Sequence, residues 1–199
     1  MKNTEIQLFS GKTFDFLDLK PINIDISDIA HALSQLCRFN GHTDRFYSVA
    51  EHSLYVSSLV HPNYAIYGLL HDAAEAYIGD MTTPLKSAIK HNFYSDIFLS
   101  TLHRDILDII AIRYDLDKFK FFDEEIKRVD KRMAVTEGER LMRNVGDWPD
   151  YHTGFRPYDM DLRCFMPKEA EMKFLKRFLA IYPGAEQGEE KQNVVYIDT

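Results

Sequence analysis

Ala65-Ile66-Tyr67-Gly68-Leu69-Leu70-His71-Asp72-Ala73-Ala74-Glu75-Ala76-Tyr77-Ile78-Gly79-Asp80 is the stretch on which the reading of this chain turns. The run is mostly apolar and predicts one helix, ended by Gly79 with Asp80 just beyond. Three polar residues interrupt its apolar surface. His71, Asp72 and Glu75 fall at i, i+1 and i+4, so His71 and Glu75 stand one turn apart.

A second stretch carries a carboxylate where an apolar residue belongs. In Phe122-Asp123-Glu124-Glu125-Ile126-Lys127-Arg128-Val129-Asp130-Lys131-Arg132-Met133-Ala134, helical spacing puts Asp130 on one stripe with Ile126, Val129, Met133 and Glu137. A carboxylate facing a core costs several kcal/mol unless a charge or strong donors meet it. A third stretch, Ser48-Val49-Ala50-Glu51-His52-Ser53, has the S-x-x-E pattern of a capping box, which places His52 in the first turn of a helix.

Three helices thus offer His52, His71, Asp72 and Asp130, two imidazoles and two carboxylates. That set suits one divalent ion such as manganese, cobalt, iron, nickel or zinc. Each residue has a plainer reading. A lone His on an apolar helical face is more often a core residue bonded to backbone, and an inward Asp can cap a helix or pair with an Arg. The residues alone leave both readings open.

The ordered pattern His52, His71-Asp72, Asp130 resembles the HD-domain metal-dependent phosphohydrolases. Leu36-Cys37-Arg38-Phe39, Ser48 to Ser53, His71 to Glu75, Gly79-Asp80 and Pro84-Leu85-Lys86 recur there at similar spacing. The resemblance is to the 5′-deoxyribonucleotidase branch and its phage-borne relatives, which include dATP triphosphohydrolases. Phe9 to Phe14 and Asp28 to Ser34 are similar to phage and prophage members, and the likeness covers roughly residues 5–143. It implies an all-α HD helical bundle and a metal held by His52, His71, Asp72 and Asp130. It implies that Glu75 orients or deprotonates the attacking water, that Arg38 and Lys86 hold phosphate oxygens, and that Asp80 takes part in proton transfer or positioning. Taken without the motif, Arg38 and Lys86 read as surface charge and Asp80 as a turn residue. Phe39 either packs on the sugar, where it disfavours a 2′-hydroxyl, or is a core residue. In some relatives added histidines hold a second metal; His91 and His103 lie in that interval, but a mononuclear site is the expectation here.

The substrate expected from this resemblance is a small deoxynucleotide, first a deoxynucleoside triphosphate such as dATP. A 5′-deoxyribonucleotidase acting on monophosphates is the alternative. A nucleotide-binding scaffold that kept the fold and lost catalysis belongs to another class. Relatives are commonly oligomeric, which implies a homo-oligomer.

Composition narrows the field. At 199 residues with 45% hydrophobic and 13% aromatic content, one domain over residues 1–183 with a full core is expected, followed by an acidic tail at 184–199. A net charge of −7 with no continuous basic face argues against a nucleic-acid polymer as partner. No apolar run approaches the length of about 18 residues that a membrane span needs, and Met1 to Gln7 lacks a signal-peptide core. Cys37 and Cys164 are far apart and form no C-x-x-C pair, as reduced cytoplasmic thiols would (host cytoplasm if phage-encoded).

Local patterns complete the expected architecture. Ile6 to Leu17 alternates around Ser10-Gly11-Lys12 and predicts a small hairpin. Helices are expected over Ser27–Arg38, from Ser48, over Asn92–Tyr114, Phe121–Met142 and Lys168–Ile181. Residues 144–167, rich in Trp, Tyr and Pro, read as irregular and are expected to shape a substrate pocket or to contact a second subunit.

Overall fold

The computed structural model describes residues 1–92, 96–148, 154–182 and 184. It is predominantly helical, with one small hairpin at the N-terminus. Strands β1 (Glu5–Gln7) and β2 (Thr13–Asp15) pair antiparallel with Ile6 opposite Phe14. Gly11 supplies the left-handed φ of 83° that closes the turn. Phe14 is buried and stacks on Tyr77 with ring centroids 4.3 Å apart, so the hairpin is pinned beside the His-Asp segment.

The helices are α1 (Ile26–Gln35), α2 (Val49–Leu59), α3 (Ala65–Leu70), α4 (Glu75–Ile78), α5 (Thr83–Asn92), α6 (Asp96–Arg113), α7 (Glu124–Leu141) and α8 (Pro167–Ile181). Aspartate side chains cap two of them: Asp25 accepts from Ser27 N at 3.0 Å, and Asp123 from Glu125 N at 2.9 Å. Helix α2 lies at the centre, packed against α1, α3, α7 and α8. The core runs through Ile29 and Leu33 of α1, Val49 and Val56 of α2, Leu69 and Leu70 of α3, Ile106 and Ile110 of α6, and Phe174 and Phe178 of α8. Each such side chain contributes about 1.5–3 kcal/mol by leaving water.

Two boundaries differ from the sequence reading in ways that matter for the site. The first expected helix stops at Gln35, and Leu36 to Arg38 instead runs antiparallel to Tyr47 to Val49. Arg38 N donates to Tyr47 O at 2.9 Å and Val49 N to Leu36 O at 3.0 Å. The expected continuous helix over 65–79 is two short ones joined by tight turns. Ala73 N bonds Leu70 O and Glu75 N bonds Asp72 O, both at 2.9 Å and both i to i−3 rather than i to i−4. Apolar periodicity does not separate these geometries, because both keep one face inward.

The described parts of 144–166 hold no regular helix or strand, as expected, and α8 begins at Pro167, one residue before the expected start. Asn92, the expected start of a helix, instead ends α5; residues 93–95, Tyr151 of the aromatic segment, and the tail beyond Gly184 lie outside the described residues. No described helix is long and apolar enough to cross a membrane.

Candidate metal centre

Ser48 starts the local construction. Its hydroxyl accepts from Glu51 N at 3.1 Å, which fixes the first turn of α2 and buries His52 fully. Only this half of the capping box forms. The Glu51 carboxylate turns away and accepts from the backbone N–H groups of Arg163, Cys164 and Phe165 at 3.0, 2.9 and 2.6 Å. Three donors from a distant loop outcompete one at the helix start.

Close packing of α2 on α3 brings the second imidazole in. A Cβ at Gly68 would meet Val60 Cγ2 at 3.1 Å and Ser57 Cα at 3.2 Å, so a larger residue there would push the two helices apart by a few tenths of an ångström. His71 Nδ1 donates to Gly68 O at 2.9 Å. His52 Nδ1 donates to the Glu137 carboxylate at 2.6 Å. Both Nδ1 atoms are therefore used, and both Nε2 atoms turn toward one point, 3.3 Å apart.

Two carboxylates join them there. His52 Nε2 lies 3.1 Å from Asp130 Oδ1 and 3.7 Å from Asp72 Oδ2, and His71 Nε2 lies 3.3 Å from Asp72 Oδ2 and 3.8 Å from Asp130 Oδ1. Bonds of about 2.0–2.2 Å to a single ion would set neighbouring ligand atoms roughly 3.0–3.6 Å apart. His52, His71 and Asp72 form a group, with ligand atoms within 4.8 Å of one another, that could hold a metal ion. The donor chemistry fits: imidazole nitrogens and carboxylates aimed at one point require a proton or a cation between them. Burial and Arg38 push the His52 imidazolium down, yet Glu137 and Asp130 outweigh both and hold its pKa at about 10. Burial opposes ionisation of Asp72 and Asp130, but the imidazoles hold both carboxyls below the usual range, Asp130 well below.

Asp130 is less enclosed than its place on the α7 stripe suggests. Its side chain is 37% exposed, whereas Glu137, two turns further along that stripe, is 0% exposed. The carboxylate that the core truly surrounds is Glu137. It accepts from Tyr47 OH at 2.8 Å, from His52, and from Arg38 Nε and Nη2 at 3.1 and 3.0 Å. Arg38 is thereby committed to a buried ion pair, with Nη1 3.7 Å from Asp72. The sequence signal for Glu137 was its position on the Asp130 stripe; its partners are about 90 residues away in the chain and leave no local trace.

Glu75 stands beside the cluster, nearly buried, with Oε1 3.6 Å from Lys86 Nζ. Its Oε2 has no hydrogen-bond partner among the described residues. Burial, then Asp72 and Asp80, raise its carboxyl well above the usual range. Asp80 follows Gly79, whose φ of 80° ends α4, and burial raises its carboxyl too. Phe39, with a left-handed φ of 53°, sits under the Arg38 guanidinium and 5.5 Å from the Trp148 ring. Trp148 in turn crowds Gly138, next to Glu137. The aromatic segment at 144–148 thus backs the buried end of the site.

A helical bundle in which His52 of the central helix meets His71 and Asp72 of the turn between α3 and α4, at a point that could hold a metal, is the class defined by fold and geometry. No family model matches the chain. It is 48% identical over 145 residues to YfdR of Escherichia coli K12, an alignment spanning 72% of this chain and 76% of YfdR. A protein of Rhodobacter capsulatus is 45% identical over 98 residues, which is 45% of this chain and 50% of that protein. The chain belongs to the family of YfdR. Neither relative's name states an activity.

Proposed function

We propose that this chain is a metal-dependent phosphohydrolase of deoxynucleotide 5′-phosphate esters, with a deoxynucleoside triphosphate such as dATP as substrate. The observation that carries the reading is the convergence of His52 Nε2, His71 Nε2, Asp72 and Asp130 within 3.1–3.8 Å, with Glu75 beside them. Held by those four residues, one divalent ion of manganese, cobalt, iron, nickel or zinc would supply Lewis-acid polarisation of water and of the phosphoryl group. Glu75, with its unpartnered Oε2, would take a proton from the attacking water as that oxygen bonds the α-phosphorus. The bond from phosphorus to O5′ breaks, and O5′ takes a proton from Asp80, whose carboxyl burial keeps protonated to higher pH than usual. Lys86 and the Nη1 side of Arg38 would meet the charge growing on the phosphoryl oxygens. Water and dNTP thus become deoxynucleoside and triphosphate. Such a substrate places the work in the cytoplasm, and the resemblance adds a homo-oligomer.

The test is to incubate the protein with each dNTP and dNMP plus manganese or cobalt and identify products by chromatography. Deoxynucleoside with triphosphate is the expected result. Phosphate released from dNMPs alone would make it a 5′-deoxyribonucleotidase. No turnover in a protein without stoichiometric metal would leave a nucleotide-binding scaffold.

A further inference from the structure

Glu75 also lines a cavity of about 310 Å³ between α4, α5 and α6. Its walls include apolar side chains such as Ile78 and Leu99, and its polar lining includes Glu75, Lys86, His103 and Arg104. Glu75 is thus a shared wall, one carboxylate facing the candidate centre and the cavity alike.

Charge is distributed unevenly around that wall. Arg38, on the inner side, is already held by Glu137 and by Asp72. On the cavity side, Lys86 is 51% exposed and Arg104 is exposed. These two cations line the cavity in a protein of net charge −7. Burial holds the His103 imidazole below its usual range, with Asp72 pulling the other way. At neutral pH it therefore offers one N–H rather than a full charge. A pocket whose lining includes two cations and a neutral donor is suited to an anion.

The direction of the reaction says which anion. If Glu75 holds the attacking water, the nucleoside departs on the opposite side of phosphorus, because attack and departure are in line. The remaining substituents on phosphorus project sideways from that axis. In a triphosphate one of them is the β,γ chain, and the cavity that Glu75 lines offers room for it. The volume is near the lower end of ligand cavities, which run roughly 300–1,000 Å³.

We propose that the cavity between α4, α5 and α6 receives the phosphate chain beyond the scissile phosphate of a nucleoside triphosphate, with Arg104 and His103 as contacts specific to that chain. This rests on the hydrolase reading above and sharpens it: selection for a triphosphate over a monophosphate resides on α6.

The experiment compares the manganese-saturated wild type with Arg104→Ala, Arg104→Lys and His103→Asn, using dATP, dAMP and inorganic tripolyphosphate as probes. Arg104→Ala should lower the ratio of kcat/KM for dATP over dAMP by about tenfold, the size of one lost charge-assisted hydrogen bond. It should weaken inhibition by tripolyphosphate to a similar extent. Arg104→Lys should recover part of both, and His103→Asn should move the ratio in the same direction by less. An unmoved ratio in Arg104→Ala, or equal loss on both substrates, overturns the proposal. Calorimetric titration with tripolyphosphate separates it from the hydrolase reading. Arg104-dependent binding without cleavage of any deoxynucleotide retains the subsite and removes the enzyme, whereas wild type that binds no tripolyphosphate removes the subsite.

Discussion

The two sides of the His52 ring are built on opposite principles. Toward Nδ1 lies a closed network of Glu137, Arg38 and Tyr47, in which each polar group meets a partner and Glu137 is fully enclosed. Toward Nε2 lie Asp130, a third exposed, Glu75 with an oxygen that has no partner among the described residues, and Lys86, half exposed. The closed side fixes the tautomer and aim of the imidazole; the open side leaves ligand capacity unused. A site assembled this way holds its geometry without spending the atoms that bind and react.

Substitutions on the two sides should therefore fail differently. Asp130→Ala should have the largest effect on function: bound metal and activity disappear together while the fold persists, read by metal analysis and melting temperature. Retained stoichiometric metal with full turnover would remove Asp130 from the ligand set. Glu137→Ala strikes the closed side and should instead cost stability, by about 3–5 kcal/mol, because Arg38 is left buried without its partner. Denaturant unfolding measures this, and a loss under about 1 kcal/mol would mean that the network is not closed. Glu75→Ala returns to the open side; it should keep the ion and slow kcat by roughly 10²–10⁴, and an unchanged kcat would show that another group takes the proton.

The smallest effect should be a pH dependence of the metal-free protein. His52 has a folded pKa of about 10 against an ordinary 6.5, so its proton stabilises the fold fully below pH 6.5. That contribution is lost as pH rises from 6.5 through 10. Denaturation midpoints of metal-free protein should fall across this window, and midpoints of metal-saturated protein should fall less. Identical slopes in the two forms would mean that proton and metal do not compete for His52.

How far the sequence could be read follows the same division. Faces are legible from periodicity, so the α7 stripe, the apolar surfaces of α2 and α3, and the hairpin alternation at Ile6 and Phe14 all lay open to inspection. The Ser48 cap was legible because its donor is three residues away. Partners distant in the chain were not. Nothing near Glu51 points to residues 163–165, and nothing near Arg38 points to a carboxylate 99 residues on. The same stripe also placed Asp130 and Glu137 alike, although one is open and the other enclosed. Spacing gives a direction from the helix axis, and what stands in that direction is set by other elements. The turn at 71–74 escaped for a subtler reason: tight and regular helical turns ask for the same pattern of apolar residues.

Glu51 immediately precedes His52 and clasps three amides of the loop at 163–165. That clasp makes the loop at 163–165 a brace for the first turn of α2, where His52 sits. Any change that swings this loop away would strand a buried negative charge at the first turn of α2, and the helix would have to shift to wet it. Variation far along the chain would then be felt as a displaced His52 imidazole.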